Sequence, residues 1–201
     1  MILRDLSDYR VLIVPGLHNS DVDHWQTRWQ QRHRNFKRVE QAHWHRPELP
    51  IWSWRLGQAL RESERPTLIV AHSFGCLATL HATETGSSVA GALLVAPADP
   101  EKFGVAQALR HARPSYPAIV IGSTNDPWMT ISRAAHWAHT WRCDFVNAGA
   151  LGHINAESGL EDWPFGLAQF QRLIDLAERD REIVAPSSDR AGHSRSGTAS
   201  S

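Results

Sequence analysis

The chain has 201 residues, of which 42% are hydrophobic, so it is long enough for one domain with a substantial core. Its 21 basic residues balance its 21 acidic ones, which excludes a strongly charged surface for nucleic acid or anionic membranes. No apolar run approaches the roughly 20 residues of a membrane span, and the N-terminal segment lacks the features of a signal peptide. We therefore expect a cytoplasmic protein that binds neither nucleic acid nor membranes, with Cys76 and Cys143 buried and unpaired.

Short apolar runs alternate with helical patterns along the chain. The predicted strands are 11–14, 37–41, 67–71, 92–96, 118–122 and 144–147. The predicted helices are 22–33, 50–63, 74–86, 102–111, 131–140 and 164–180. This alternation predicts an α/β domain with a mostly parallel sheet of about six strands and helices on both faces. The expected site in such a domain is the crevice at the carboxyl ends of the strands.

We expect a single domain over residues 1–184 and a disordered tail over residues 185–201. The tail reads APSSDRAGHSRSGTASS, which is polar and nearly free of large apolar side chains, so burial cannot offset the entropy of ordering it. The chain also contains nine tryptophans. We expect most of them to pack in the core, with a few left to line a cleft.

The segment PTLIVAHSFGC, residues 66–76, runs from the third predicted strand into the third predicted helix. Ala71-x-Ser73-x-Gly75 is close to the G-x-S-x-G pattern, in which a tight, strained turn exposes a serine hydroxyl. Ala71 departs from that pattern by one methyl group. At this turn the backbone N–H of Phe74 is free to bind a developing oxyanion. The alternative is that Ser73 only caps the helix.

A serine nucleophile needs a base, and the base needs an orienting acid. Asp126 follows the fifth predicted strand and His153 follows the last one, so both should reach the same sheet edge as Ser73. The order Ser, Asp, His is that of the α/β hydrolases. Asp126 before a proline is also an ordinary turn signal, and Asp99, after the fourth strand, is the alternative acid.

The second oxyanion donor is expected in the loop after the first strand, residues 14–20. Leu17 is the first choice through its backbone N–H, and His18 is the alternative. Metal sites are not expected, because the histidine pairs at 43 and 45 and at 136 and 139 lack the glutamate of H-E-x-x-H. There is no glycine-rich phosphate loop, so no nucleotide cofactor is expected either.

The chain resembles the small serine hydrolases grouped with retinoblastoma-binding protein nine and the YdeN proteins, in the α/β-hydrolase superfamily. The resemblance covers about residues 10–176. It lies in Val14-Pro15-Gly16 with Trp25 and Trp29, Val39-Glu40-Gln41 to Trp44-x-Arg46-Pro47, Val70-Ala71-His72-Ser73-Phe74-Gly75, Asn125-Asp126-Pro127, and Gly152-His153-Ile154-Asn155 with Trp163-Pro164. It implies an α/β-hydrolase fold that lacks the usual first two strands, a triad of Ser73, Asp126 and His153, and esterase-like activity.

Both lines of reasoning predict an esterase-like serine hydrolase that acts on small ester or amide substrates. The segment 98–114 is too short to hold a large lid, so we expect an exposed site and small or flexible acyl groups. The alternative is a binding or scaffolding protein on a hydrolase frame, because a fold does not dictate a function. A perhydrolase reaction through the same triad cannot be separated from hydrolysis by sequence.

Overall fold

The computed structural model describes residues 6–83 and 88–184. Six strands form one sheet in the order β2-β1-β3-β4-β5-β6, and every neighbouring pair is parallel. The strands are Arg10–Val14 (β1), Phe36–Arg38 (β2), Thr67–His72 (β3), Val89–Val95 (β4), Ala118–Gly122 (β5) and Asp144–Asn147 (β6). The predicted parallel sheet is confirmed. Its carboxyl edge carries the loop after β1, the turn at Ser73 and the loops after β4, β5 and β6.

In the described ranges a helix connects each consecutive pair of strands, as parallel connections require, and a last helix follows the sixth strand. They are Trp25–Arg32 (α1), Leu49–Arg61 (α2), Phe74–Ala82 (α3), Ala106–Leu109 (α4), Ile131–Trp141 (α5) and Pro164–Val184 (α6), with a short 3-10 helix at Ala156–Ser158. Local sequence fixes several of their starts. Thr130 caps α5 by accepting a hydrogen bond from the Arg133 N–H, and Pro164 stands at the first position of α6.

Two hydrophobic clusters cover the two faces of the sheet. One packs α2, α3 and α5 onto the sheet through side chains such as Leu56, Leu77 and Trp141. The other packs α1 and α6 onto the opposite face through side chains such as Trp29 and Phe170. All six residues of β3 are buried, which explains why its sequence is a nearly continuous apolar run.

Most tryptophans are core residues, as predicted. Trp44 is half-buried, whereas Trp54 and Trp128 are exposed. The six buried ones are Trp25, Trp29, Trp52, Trp137, Trp141 and Trp163.

Several element bounds differ from the sequence-based expectation, and two of these differences have a local cause. The helix predicted over 102–111 is limited to the single turn of α4, because residues 101–104 form turns and Gly104 has a left-handed φ of 67°. The second strand was predicted over 37–41 but ends at Arg38. Its neighbour β1 stops before Pro15, which has no N–H to continue the ladder.

No lid is present in the described part of the chain: the connection from β4 to β5 holds α4 alone. Among the described residues, no helix has the length and apolar character needed to cross a bilayer. The predicted disordered tail, residues 185–201, lies outside the described residues and stays a prediction.

Candidate active site

Ser73 occupies a sharp turn between β3 and α3. Its backbone has φ 53° and ψ −122°, a conformation that a serine rarely adopts. Such a conformation costs about 1–3 kcal/mol and persists only where the surrounding packing imposes it. The Ser73 side chain forms no capping hydrogen bond to α3. The capping alternative is therefore excluded, and the hydroxyl is free to bind another partner.

Two glycines allow the turn at Ser73 to pack against the loop after β1. A Cβ atom on Gly75 would overlap the carbonyl oxygen of Val14 and lie 2.5 Å from that of Pro15. A Cβ atom on Gly16 would lie 2.6 Å from the Cβ of Ser73. Side chains do not approach that closely, so both contacts require glycine. The loop after β1 is thereby held directly beside the serine.

A chain of hydrogen bonds links Ser73, His153 and Asp126. His153 Nε2 lies 3.0 Å from Ser73 Oγ, and His153 Nδ1 lies 2.8 Å from Asp126 Oδ2. A carboxylate only accepts hydrogen bonds, so Nδ1 carries the proton and Nε2 accepts the serine O–H. The side chains of His153 and Asp126 are 11% and 3% exposed, so water competes little for these bonds. This is the tautomer in which an imidazole can take a proton from a serine.

The loops after β5 and β6 are hydrogen-bonded to each other beside this chain. Asn125 Oδ1 accepts from the Gly152 N–H at 2.7 Å, and Ser123 Oγ accepts from the Leu151 N–H at 2.9 Å. Gly152 has a φ of 58°, which a glycine adopts without strain. The acid and the histidine therefore stand on two loops that hold each other in place.

Asp99, the alternative acid, binds a different partner. Its two carboxylate oxygens accept from Arg133 Nε and Nη2 at 2.7 and 2.8 Å. Burial raises the pKa of the Asp99 carboxyl, but the hydrogen bonds from Arg133 and from the Glu101 N–H, together with the nearby positive charges, outweigh burial and hold the pKa below its ordinary value. The carboxylate that contacts His153 is that of Asp126.

The backbone donors near Ser73 also differ in their bonding. The His18 N–H donates to the Trp44 carbonyl at 2.9 Å, so it is already engaged. In the described part of the chain, no backbone carbonyl accepts from the N–H of Leu17 or of Phe74. Phe74 follows Ser73 directly, and Leu17 follows the glycine that packs against it. These are the two free N–H groups that the sequence analysis preferred.

His72 and His24 form a buried histidine pair beside His153, with the two rings packed edge to face. The His72 Nε2–H donates to the His153 carbonyl at 2.9 Å. The ring centroids of His72 and His153 are 4.9 Å apart, as are those of His24 and His72. The Gln26 N–H donates to His24 Nδ1 at 3.2 Å. Neutral His24 therefore carries its proton on Nε2, which is buried and has no partner among the described residues.

Burial lowers the pKa of both histidines of this pair. The pKa of His24 falls to about 4 because of desolvation, an effect that Asp21 opposes and that Arg38 and His153 reinforce. Desolvation likewise holds the pKa of His72 well below its ordinary value, with smaller contributions from His24 and His153. Both rings are neutral at pH 7 and place no charge beside the His153 imidazole. No sequence pattern indicates this histidine pair, because its members lie far apart in the chain.

Possible metal ligands and the two thiols are the other chemistry-bearing groups of the described residues. Within the described ranges, no group of three or more His, Cys, Asp or Glu side chains is arranged to hold a metal. Cys76 is buried as predicted, whereas Cys143 is only half-buried, and both thiols are free. Burial raises the pKa of Cys143 to about 12 and that of Cys76 well above its ordinary value, so neither is a reactive thiolate.

A parallel sheet with a serine at a strained strand-to-helix turn, and with an acid and a histidine after later strands, defines the class of α/β hydrolases. The model of the family described as "Serine hydrolase" matches residues 11–172. The chain therefore belongs to this serine hydrolase family, and its solved relatives place it among the YdeN-like small serine hydrolases of the α/β-hydrolase superfamily.

Two of those structures illustrate the likeness. A protein named as a YdeN-like hydrolase, from Pectobacterium atrosepticum, is 34% identical with a TM-score of 0.80, covering 86% of this chain and 92% of that chain. The ydeN gene product of B. subtilis is 20% identical with a TM-score of 0.66, covering 83% of this chain and 99% of that one, and shows likeness of fold alone. No curated protein matches the chain.

Proposed function

We propose that the chain is an esterase-like hydrolase that cleaves small ester or amide substrates through an acyl-enzyme on Ser73. The observation that carries the proposal is the chain of hydrogen bonds from Asp126 through His153 to Ser73, at 2.8 and 3.0 Å. The strained backbone of Ser73 supports it, because backbone strain of this kind is concentrated at functional sites. Membership of the serine hydrolase family supports hydrolysis and leaves the substrate to this proposal.

In the first half of the reaction, Ser73 Oγ attacks the substrate carbonyl carbon while its proton passes to His153 Nε2. Asp126 accepts the Nδ1–H and stabilises the imidazolium that forms. The N–H groups of Phe74 and Leu17 bind the oxyanion, and each such donor is commonly worth about 3 kcal/mol of barrier. His153 then gives its proton to the leaving oxygen or nitrogen as the bond to the carbonyl carbon breaks.

In the second half, a water molecule takes the place of the leaving group. His153 Nε2 removes a proton from the water, whose oxygen attacks the acyl carbon and forms a second oxyanion beside Phe74 and Leu17. When the bond to Ser73 Oγ breaks, His153 returns the proton to the serine. The free acid leaves, and the starting hydrogen bonds are restored.

The connection between β4 and β5 supports a small substrate, because it carries one short helix, α4, and no lid among the described residues. Without a lid, such a site is expected to be open at the sheet edge and to take small or flexible acyl groups. We propose a small-molecule ester or amide as the partner and the cytoplasm as the location.

Labelling with a serine-directed fluorophosphonate tests the proposal against the alternative of a binding or scaffolding protein. Such a reagent phosphonylates an activated serine and ignores an ordinary one. We expect folded wild-type protein to be labelled at Ser73, whereas Ser73→Ala and heat-denatured wild type are not labelled. Folded wild type that stays unlabelled would favour the binding protein.

A further inference from the structure

Two exposed aromatic rings stand at the same sheet edge as Ser73. Trp128, in the loop after β5, is 60% exposed, and Phe103, in the loop after β4, is 36% exposed. The Trp128 ring centroid lies 6.5 Å from that of His153, and the Phe103 ring centroid lies 5.0 Å from that of Phe74. Single exposed apolar side chains are normal on a protein surface. These two rings, however, lie beside His153 and Phe74, the residues next to the Ser73 hydroxyl.

The backbone of Trp128 is fixed on both sides. Its N–H donates to Asp126 Oδ1 at 2.8 Å, and its carbonyl accepts from Lys102 Nζ at 2.6 Å. The loop that carries Lys102 is itself anchored, because Asp99 binds Arg133 through two hydrogen bonds. An exposed tryptophan on a braced backbone is a ready binding surface, since little backbone freedom is lost when a ligand packs on it.

The direction of the reaction assigns a role to the Trp128 ring. The carbonyl carbon must bond to Ser73 Oγ, its oxyanion must face the N–H groups of Phe74 and Leu17, and its leaving oxygen must reach His153 Nε2. The group attached to the leaving oxygen therefore departs along the exposed side of His153. The Trp128 ring is largely exposed and its centroid lies 6.5 Å from that of His153, so it offers an aromatic surface beside this path.

We propose that Trp128 binds the leaving group and that the substrates are esters of aromatic or other flat apolar alcohols. The inference rests on the proposed function, because it uses the acyl transfer to Ser73. When the ester C–O bond breaks, the leaving oxygen takes the proton from His153 Nε2, and the aromatic alcohol departs across the Trp128 ring. Offset or edge-to-face packing of the two rings supplies selectivity that an alkyl alcohol cannot match.

Kinetics with paired esters test this assignment. We would measure kcat/KM for 2-naphthyl acetate and methyl acetate with wild type, Trp128→Ala and Trp54→Ala. Trp54 is the matched control, because it is 54% exposed on α2 and points away from its neighbour Trp52, which packs against Phe74. The ratio between the two esters, compared between variants, cancels the different intrinsic reactivities of the leaving groups.

Trp128→Ala should lower kcat/KM for the naphthyl ester about tenfold more than for the methyl ester, as expected for loss of an aromatic pair and its buried area. Trp54→Ala should leave the ratio unchanged. A series of naphthyl esters from acetate to butyrate should keep its acyl preference in Trp128→Ala. An equal loss on both esters, or a loss that follows the acyl chain, would overturn the assignment.

A binding measurement separates this inference from the proposed function. Isothermal titration of 2-naphthol into Ser73→Ala needs no turnover, and adding Trp128→Ala in that background should weaken binding about fivefold or more, with no change on adding Trp54→Ala. Equal binding in all three proteins, or no binding to the folded protein, would overturn the subsite. If naphthol binds at Trp128 but wild type hydrolyses no ester, the proposed function fails and the subsite stands.

Discussion

Replacement of His24 by asparagine should reduce the protein's sensitivity to acid. The pKa of His24 is about 4 in the folded protein against 6.5 for an unperturbed histidine, because burial disfavours the charged ring. Between these two pH values the unfolded chain binds a proton that the folded protein does not. The part of the free energy of unfolding that depends on neutral His24 is therefore fully present above pH 6.5 and is lost as the pH falls toward 4. For this single group the loss is roughly 3 kcal/mol.

The substitution His24→Asn is chosen to keep the local structure. His24 caps α1 by accepting a hydrogen bond from the Gln26 N–H, and asparagine is a strong N-cap residue that can accept the same bond. The smaller side chain packs less well against His72 and Trp25, which lowers stability equally at every pH. The titratable ring of His24 is removed, while His72 stays in both proteins with its pKa still lowered chiefly by its own burial.

Urea unfolding at pH values from 4 to 7 measures the difference. Between pH 7 and pH 4, wild type should lose roughly 3 kcal/mol more of its free energy of unfolding than His24→Asn loses. Plots of the free energy of unfolding against pH should converge for the two proteins as the pH falls. Parallel lines would refute the reasoning, because they would show that His24 titrates alike in the folded and unfolded states.

Four further substitutions test the site. Asp126→Asn should lower kcat for a p-nitrophenyl ester on the order of 10⁴-fold, because it favours the wrong tautomer of His153. Asp99→Asn should mainly lower the free energy of unfolding, by about 1–3 kcal/mol. A larger loss of kcat in Asp99→Asn than in Asp126→Asn would give Asp99 the role of the acid. Gly75→Ala should cost about 1–3 kcal/mol of stability by overlap with backbone oxygens, and an unchanged denaturation midpoint would contradict the close packing. His72→Phe keeps the ring but removes the donor to the His153 carbonyl, so kcat should fall; wild-type kcat would show that this bond does not position His153.

Sequence patterns gave a close account of the sheet, because most of its strands are short apolar runs that end at turn signals. The bounds predicted for 118–122 and 144–147 are those of β5 and β6. The pattern over 102–111 misled, because it contained enough apolar residues for a helix, yet Gly104 takes a left-handed conformation and leaves only the turn of α4. The spacing of apolar residues does not indicate that a single residue adopts a left-handed φ.

The proximity of Ser73, Asp126 and His153 was predictable for a topological reason: each follows a strand of one parallel sheet, and the carboxyl ends of those strands share an edge. The contact between His24 and His72 was not predictable, because no local sequence pattern indicates that the cap of α1 packs against the end of β3. Trp128 gave a partial signal, since it comes two residues after Asp126, but its exposure depends on tertiary packing.

The central claim is that Ser73 is an activated nucleophile. The most direct measurement is turnover of p-nitrophenyl esters from acetate to octanoate by wild type and Ser73→Ala, with fluorophosphonate labelling of the same preparations. We predict turnover and labelling in wild type, and the loss of both in folded Ser73→Ala. Wild-type rates in Ser73→Ala, or folded wild type that neither hydrolyses these esters nor takes up the label, would contradict the claim.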